Sequence, residues 1–296
     1  MPKIVVGVDG SRCSDVALSW ARREAATRGW SLAAMLAWDY LSQPAATVGV
    51  SFDVGYTEAS AREALAAYIG RAPEVDGLPR EEILQQVVCD LPTTGLVAAA
   101  ADADLLVVGA RGHGGVRRLT LGSVSGYVLD HSPGDVAVVP ESAAVPAART
   151  GEGYGRIVVG TDDSEGSAAA VRWALDAGRA HRWVVEVVHA WEASPLAGGF
   201  PLTATAHPHS WYEHNAKDIV EKALVDLDMG GLPAVERLAL EGPAVPTILA
   251  RARGAELLVV SSRGLGGLKG LLAGSVSRAL VHKSGTPVVV VKPRHR

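Results

Sequence analysis

Short apolar runs recur along the chain, separated by longer stretches in which apolar and charged residues mix at helical spacing. In the first half the runs are residues 4–8, 32–38, 83–88, 105–108 and 136–139. Most are apolar without alternation, the pattern of a strand buried on both faces of a parallel sheet. The stretches between them predict helices. One follows Ser11 or Ser14 as N-cap, with Val16, Leu18, Trp20 and Ala21 supplying apolar content. Glu58–Arg71 is rich in Ala, Leu, Glu and Arg, residues 93–101 have Thr93 or Thr94 to cap them, and residues 123–129 lie in a fourth helix. Residues 43–56 read as a loop. Strands alternating with helices imply right-handed crossovers and a parallel sheet with helices on both faces.

The second half repeats the first. Ile4-Val5-Val6-Gly7-Val8-Asp9-Gly10-Ser11 returns as Ile157-Val158-Val159-Gly160-Thr161-Asp162-Asp163-Ser164, and Trp20-Ala21 as Trp173-Ala174. Leu105-Leu106-Val107-Val108-Gly109-Ala110-Arg111-Gly112-His113-Gly114-Gly115 returns as Leu257-Leu258-Val259-Val260-Ser261-Ser262-Arg263-Gly264-Leu265-Gly266-Gly267, and Gly122-Ser123 as Gly274-Ser275. Near-constant spacing is the mark of a duplication. Two domains are expected, residues 1–146 and 152–296, with an Ala-, Pro- and Gly-rich linker over 141–154. The second copy has a longer loop at 194–210 and ends in a short basic tail, 292–296, read as solvated.

Composition narrows the class. A length of 296 residues suffices for two domains that each bury a core, and 48% hydrophobic against 20% charged residues describes globular rather than disordered protein. A net charge of −4 argues against general affinity for nucleic acid or anionic membranes. The two cysteines, Cys13 and Cys89, make no disulfide framework and read as small buried hydrophobes in a reducing compartment. The amino-terminal apolar run is too short for a secretory signal, and no stretch reaches the length of a membrane span. A soluble cytoplasmic protein is expected.

The chemistry concentrates after the fourth strand. Four glycines fall within 109–115, in a loop that runs on toward a helix beginning near Gly122-Ser123. Glycine lets backbone N–H groups approach an anion, and a helix N-terminus favours negative charge. Ligands of open parallel sheets sit beyond the carboxyl ends of the strands, where neighbouring crossovers diverge. Asp9 ends the first strand and, if that strand neighbours the fourth, faces the same ligand. It would then accept from a ribose hydroxyl or help hold a phosphate-bound Mg²⁺; the alternative is that it only caps the next helix. Arg111 and Arg263 are loop cations suited to a phosphate or to solvent. Ser123 and Ser275 offer a hydroxyl and an N–H, and each also suits an ordinary N-cap. His113 has Leu265 as counterpart and reads as a surface loop residue rather than a catalytic one. The expected binding set includes Gly109, Gly112, Gly114, Gly115 and Val124, with Gly264, Gly266, Gly267 and Val276 in the second copy.

Several motifs are missing. There is no GxxxxGK[ST], no GxGxxG after the first strand, and Gly122-Ser123-Val124-Ser125-Gly126 lacks serine in the third place of GxSxG. His207 and His209 lack a nearby third ligand, so no metal site is expected there.

Gly109-x2-Gly112-x9-Gly122-Ser123 resembles the ATP-binding signature of the universal stress proteins, and the Ile-Val-Val-Gly-Val-Asp-Gly-Ser opening resembles their first strand. The likeness covers nearly the whole chain twice, as in tandem-domain members. It implies two Rossmann-like α/β domains, each an open five-stranded parallel sheet in the order 3-2-1-4-5. It also implies ATP at the first and fourth strand ends, with Mg²⁺. Gly7 and Asp9 would line the nucleotide, Ala37 would meet the adenine, and Gly109, Gly112, Gly122 and Ser123 would hold the phosphates. In the second copy these fall on Gly160, Asp162, Ala190, Gly264, Gly274 and Ser275, with Ser261 departing from the first glycine.

The favoured function is a regulatory ATP-binding stress protein with at most slow hydrolysis. Alternatives are an adenine nucleotide α-hydrolase-type enzyme, though its Ser-Gly-Gly-x-Asp-Ser loop is missing, and a ligand-free interaction module. The family implies that the two copies pack as a pseudo-dimer near residues 136–139 and 288–291, with further homodimerisation open. Ser261 is expected to narrow its site and, if the position needs φ > 0, to add strain. The second site should therefore be no tighter than the first.

Overall fold

A computed structural model describes residues 1–38, 57–112, 121–143, 155–193, 207–264 and 274–293. The chain divides into two units, Met1–Thr150 and Gly151–Arg296.

In the first unit, Ile4, Val5 and Val6 are fully buried and form the centre of β1 (Lys3–Gly7). The chain then turns into α1 (Arg12–Arg28), where the Ser11 hydroxyl accepts from the Ser14 N–H at 3.2 Å. Ser11, not Ser14, is thus the cap; the Ser14 hydroxyl donates back to the Ser11 carbonyl at 2.8 Å. Gly29 closes the helix at φ 64°, a left-handed position that glycine occupies without penalty. β2 (Ser31–Trp38) lies parallel to β1, and α2 (Glu58–Arg71) starts at a Thr57–Ser60 capping box. β3 (Leu84–Cys89) begins one residue later than its apolar pattern suggests, because the Ile83 N–H closes a 3₁₀ turn onto the Arg80 carbonyl. α3 (Pro92–Ala100) is capped by neither Thr93 nor Thr94: Leu91 is its N-cap, and Pro92 fills the first position, where a missing N–H is no loss. β4 (Leu105–Gly109), α4 (Ser123–His131) and β5 (Asp135–Val139) complete the unit.

The sheet runs β3-β2-β1-β4-β5 with every pairing parallel, and Ile4, Val5 and Val6 stand opposite Leu105, Leu106 and Val107. From β1 the chain crosses to β2 on one side, and from β4 it crosses to β5 on the other. The split between β1 and β4 opens a crevice beyond their carboxyl ends. α3 packs beside α4.

The second unit repeats this plan with β6 (Arg156–Gly160), α5 (Glu165–His181), β7 (Val184–Trp191), α6 (His209–Lys222), β8 (Val235–Glu241), α7 (Ala244–Ala252), β9 (Leu257–Ser261), α8 (Ser275–Lys283) and β10 (Val288–Val291). Its order is β8-β7-β6-β9-β10. One substitution alters its core: Glu186 stands in β7, 2% exposed, where the first copy has Ala33. Arg251 holds that carboxylate with two bonds of 2.6 and 2.7 Å, Arg156 adds a third at 3.1 Å, and the pairing raises the Arg251 pKa. Burial of a charge is tolerated only with such partners.

Four sequence expectations need correction. Cys89 is exposed, because it ends an edge strand; Cys13 is buried as expected. Lys292 is buried rather than solvated. His209 and Ser210 belong to α6, so the long loop ends by Pro208, the N-cap of that helix. No single-residue φ > 0 occurs at Gly109, Gly122 or Ser261, so the strain argued for Ser261 is absent. The loop at 43–56 and most of the linker lie outside the described residues.

Candidate functional site

The Asp9 side chain is placed by the turn that leads from β1 into α1. Gly10 takes φ 82°, and one Asp9 oxygen, Oδ1, accepts from the Ser11 N–H at 2.9 Å. Asp9 therefore braces the turn ahead of the helix while Ser11 does the capping. The other oxygen faces the loop after β4: a Cβ added to Gly112 would stand 2.5 Å from Asp9 Oδ2. Gly112 lies this close without a left-handed φ, so a side chain there would disturb the carboxylate rather than the backbone. The second unit repeats the arrangement. Asp162 Oδ1 accepts from the Ser164 N–H at 3.2 Å and its hydroxyl at 2.6 Å, while Oδ2 crowds the place of a Cβ on Gly264. Asp163 holds φ 66° where the first unit has Gly10.

The glycine-rich loop is tied at both ends. Ala110 donates to the Val139 carbonyl at 2.8 Å, and its own carbonyl accepts from the Gly122 N–H at 2.7 Å and the Ser125 hydroxyl at 2.9 Å. Gly274 donates to the Ser262 carbonyl at 2.7 Å in the second unit, and the Ser277 hydroxyl bonds the Gly274 carbonyl at 3.0 Å. Ser125 and Ser277 thus fasten the loop to the helix, a role not inferred from sequence. Its signal was available, because Gly-Ser-Val-Ser occurs at this point in both copies.

Ser123 and Ser275 are the first helical residues, exposed, and the N-caps are Gly122 and Gly274, which supply no side-chain acceptor. The ordinary N-cap reading of the two serines is thereby corrected. The opening turns of α4 and α8 keep donor groups and a favourable dipole at the crevice. Val124 and Val276 follow in the same turns, Val276 being 40% exposed.

At the strand end the two units exchange a small residue. A Cβ on Gly109 would lie 2.9 Å from the Cys13 backbone and Cβ, so α1 abuts β4 only because residue 109 is glycine. In the second unit Ser261 takes that place, and Gly166 replaces the cysteine opposite. A Cβ on Gly166 would strike the Ser261 hydroxyl and stand 2.9 Å from the Arg263 carbonyl. Ser261 Oγ donates to that carbonyl at 2.7 Å and accepts from the Arg263 N–H at 3.2 Å. In the first unit the corresponding Arg111 N–H faces the Cys13 sulfur, whose thiol pKa is nonetheless raised by burial. Arg111 and Arg263 are half-buried at the crevice rim.

Gly7 and Gly160 serve a different contact. A Cβ on Gly7 would meet Leu96 of α3 at 2.8 Å, and one on Gly160 would meet Ile248 of α7 at 3.4 Å. Ala37 and Ala190, half-buried, lie near the carboxyl ends of β2 and β7 in register with Val88 and Leu240. His113, Gly114, Gly115, Leu265, Gly266 and Gly267 lie outside the described residues. His207 stacks on Trp211, while His209 Nε2 faces Glu241 at 3.1 Å; among the described residues no three His, Cys, Asp or Glu side chains gather as a metal site. No helix of the described residues is long and apolar enough to cross a membrane.

The family model described as the universal stress protein family matches residues 1–140 and again 153–292. A universal stress protein of Mycobacterium tuberculosis is 33% identical over 318 residues, covering 98% of this chain and 94% of the relative. One from Mycolicibacterium smegmatis is also 33% identical, over 310 residues, with 98% and 97% covered. Among solved structures, a universal stress protein from Archaeoglobus fulgidus superimposes with a TM-score of 0.63 at 17% identity over 98% of both chains, a likeness of fold. Two tandem matches to the family model and relatives aligned along nearly their whole length make this chain a member of the universal stress protein family.

Proposed function

We propose that each unit binds an adenine nucleotide, ATP with Mg²⁺, in the crevice between its first and fourth strands, and that the protein acts through the bound state rather than through rapid turnover. The observation that carries this reading is the Asp9 carboxylate set against Gly112, repeated by Asp162 and Gly264. Phosphates resting at the start of α4 would gain from its N–H groups and dipole, with no side chain on Gly122 to obstruct them. Asp9 would then accept from the ribose or serve as the protein ligand of a Mg²⁺ held chiefly by phosphate oxygens and water. Hydrolysis is at most slow in this reading: Asp9 is the acidic candidate for a general base, and one of its two oxygens already accepts from the Ser11 N–H.

Native mass spectrometry of the purified chain tests it. Retained ATP, up to two per chain, supports the proposal. AMP and pyrophosphate formed on incubation would favour an α-hydrolase-type enzyme, and a bare chain unresponsive to added ATP would favour an interaction module.

A further inference from the structure

Beyond the carboxyl ends of β2 and β3 the first unit carries a carboxylate where the second has glycine. Asp90 follows the last residue of β3, and its N–H donates to the Trp38 carbonyl at 3.0 Å, which keeps it beside the end of β2. Its Oδ1 accepts from the Leu91 N–H and the Thr94 hydroxyl, each at 2.7 Å. Oδ2 has no hydrogen-bond partner among the described residues. Gly95 of α3 packs close beside Asp90. A Cβ there would stand 3.3 Å from Met35 Cε and 3.7 Å from the Cβ atoms of both Ala37 and Asp90. Ala37 and Asp90 thus lie against the same glycine.

The second unit is built differently at this point. Gly242 occupies the position of Asp90, donates to the Trp191 carbonyl at 2.8 Å, and takes φ 138°, which excludes a side chain. The neighbouring Glu241 faces His209 at 3.1 Å.

Resting on the nucleotide reading above, we infer that Asp90 is a base-selecting residue of the first site, accepting a hydrogen bond from an exocyclic amine of the nucleobase, and that the second site has no equivalent. Strands lie about 4.8 Å apart. A nucleotide with its phosphates beyond β4 and its sugar by Asp9 beyond β1 brings its base over the end of β2, at Ala37 and Asp90. Oδ1 is already occupied, so the carboxylate offers one acceptor. An acceptor there welcomes an amine and repels a carbonyl oxygen.

The test is calorimetric titration of the full chain with ATP, purine riboside triphosphate (which lacks the 6-amino group) and inosine triphosphate (which carries a 6-oxo group). The class of sites that Asp9→Ala weakens is assigned to the first unit. Wild type should bind ATP there about tenfold more tightly than the purine riboside nucleotide, the size expected of one charge-assisted bond. Asp90→Asn retains an acceptor for Leu91 and Thr94, so the fold persists. It should cut that preference below about threefold and favour the inosine nucleotide relative to ATP. Asp90→Gly should make the first site as unselective as the second. A wild-type ratio near one, or a ratio unchanged in Asp90→Asn, overturns the inference while leaving nucleotide binding intact. No ATP binding by wild type overturns both.

Discussion

Asp9 and Gly112, from turns after neighbouring strands, meet so closely that a single methyl group on Gly112 would stand 2.5 Å from the carboxylate. The loop and the carboxylate therefore come together at one place. Asp9→Ala should lower ATP affinity of the first site at least tenfold, equivalent to about 1.4 kcal/mol. The fold should survive, because the side chain is exposed and the change forfeits one bond to Ser11, worth about 1 kcal/mol. Gly112→Ala should mimic the binding defect by pushing the carboxylate aside. Calorimetry and a urea melt on the same samples separate the two effects; normal affinity in both variants would remove Asp9 from the site.

The exchange of small residues predicts a coupled pair. Gly109→Ser alone should destabilise the first unit by about 1–3 kcal/mol, because the new Cβ strikes the start of α1 at Cys13. Adding Cys13→Gly, which reproduces the Ser261–Gly166 arrangement, should recover at least half of that loss. A double-mutant cycle by chemical denaturation reads the coupling, and simple additivity would refute it. Since Ser261 carries no positive φ, Ser261→Gly should shift ATP affinity of the second site by less than about threefold.

Gly122 separates ligand sterics from folding. It has φ −77° and ψ 164°, and a Cβ would lie 3.4 Å from the Ala110 carbonyl, the Arg111 Cα and the Ser125 hydroxyl, which is ordinary contact. Gly122→Val should therefore melt within a few degrees of wild type yet lose ATP binding, because its branches would cover the start of α4. Unchanged ATP affinity would dismiss the phosphate position.

The two cysteines should differ in reactivity. Cys13 is 5% exposed and its thiol pKa is raised by burial, so little thiolate forms at neutral pH; Cys89 is exposed at the end of an edge strand. Under native conditions iodoacetamide should label Cys89 at least tenfold faster, with Cys13 reacting only after denaturant is added. Peptide mass spectrometry gives both rates, and equal labelling would contradict the packing around Gly109.

The order of elements and the duplication were legible from residues alone. Apolar runs such as 4–8 and 105–108 announce buried strands whatever surrounds them, and two copies of Asp, Gly and Ser at matched spacing announce a repeated motif. Helix 58–71 was readable from its Ala, Leu, Glu and Arg content, and the Thr57–Ser60 capping box fixes its start through purely local bonds. Other features depend on what distant segments bring. No local rule marks Gly109 as the partner of Cys13, or Gly112 as the partner of Asp9, since these contacts exist only once β1 and β4 lie side by side. Nor does sequence spacing distinguish Ser123, exposed at the helix start, from Ser125, whose hydroxyl ties the loop shut. The two serines differ only in which way the first turn of α4 points them, and that direction is set by the packing of the helix on the sheet.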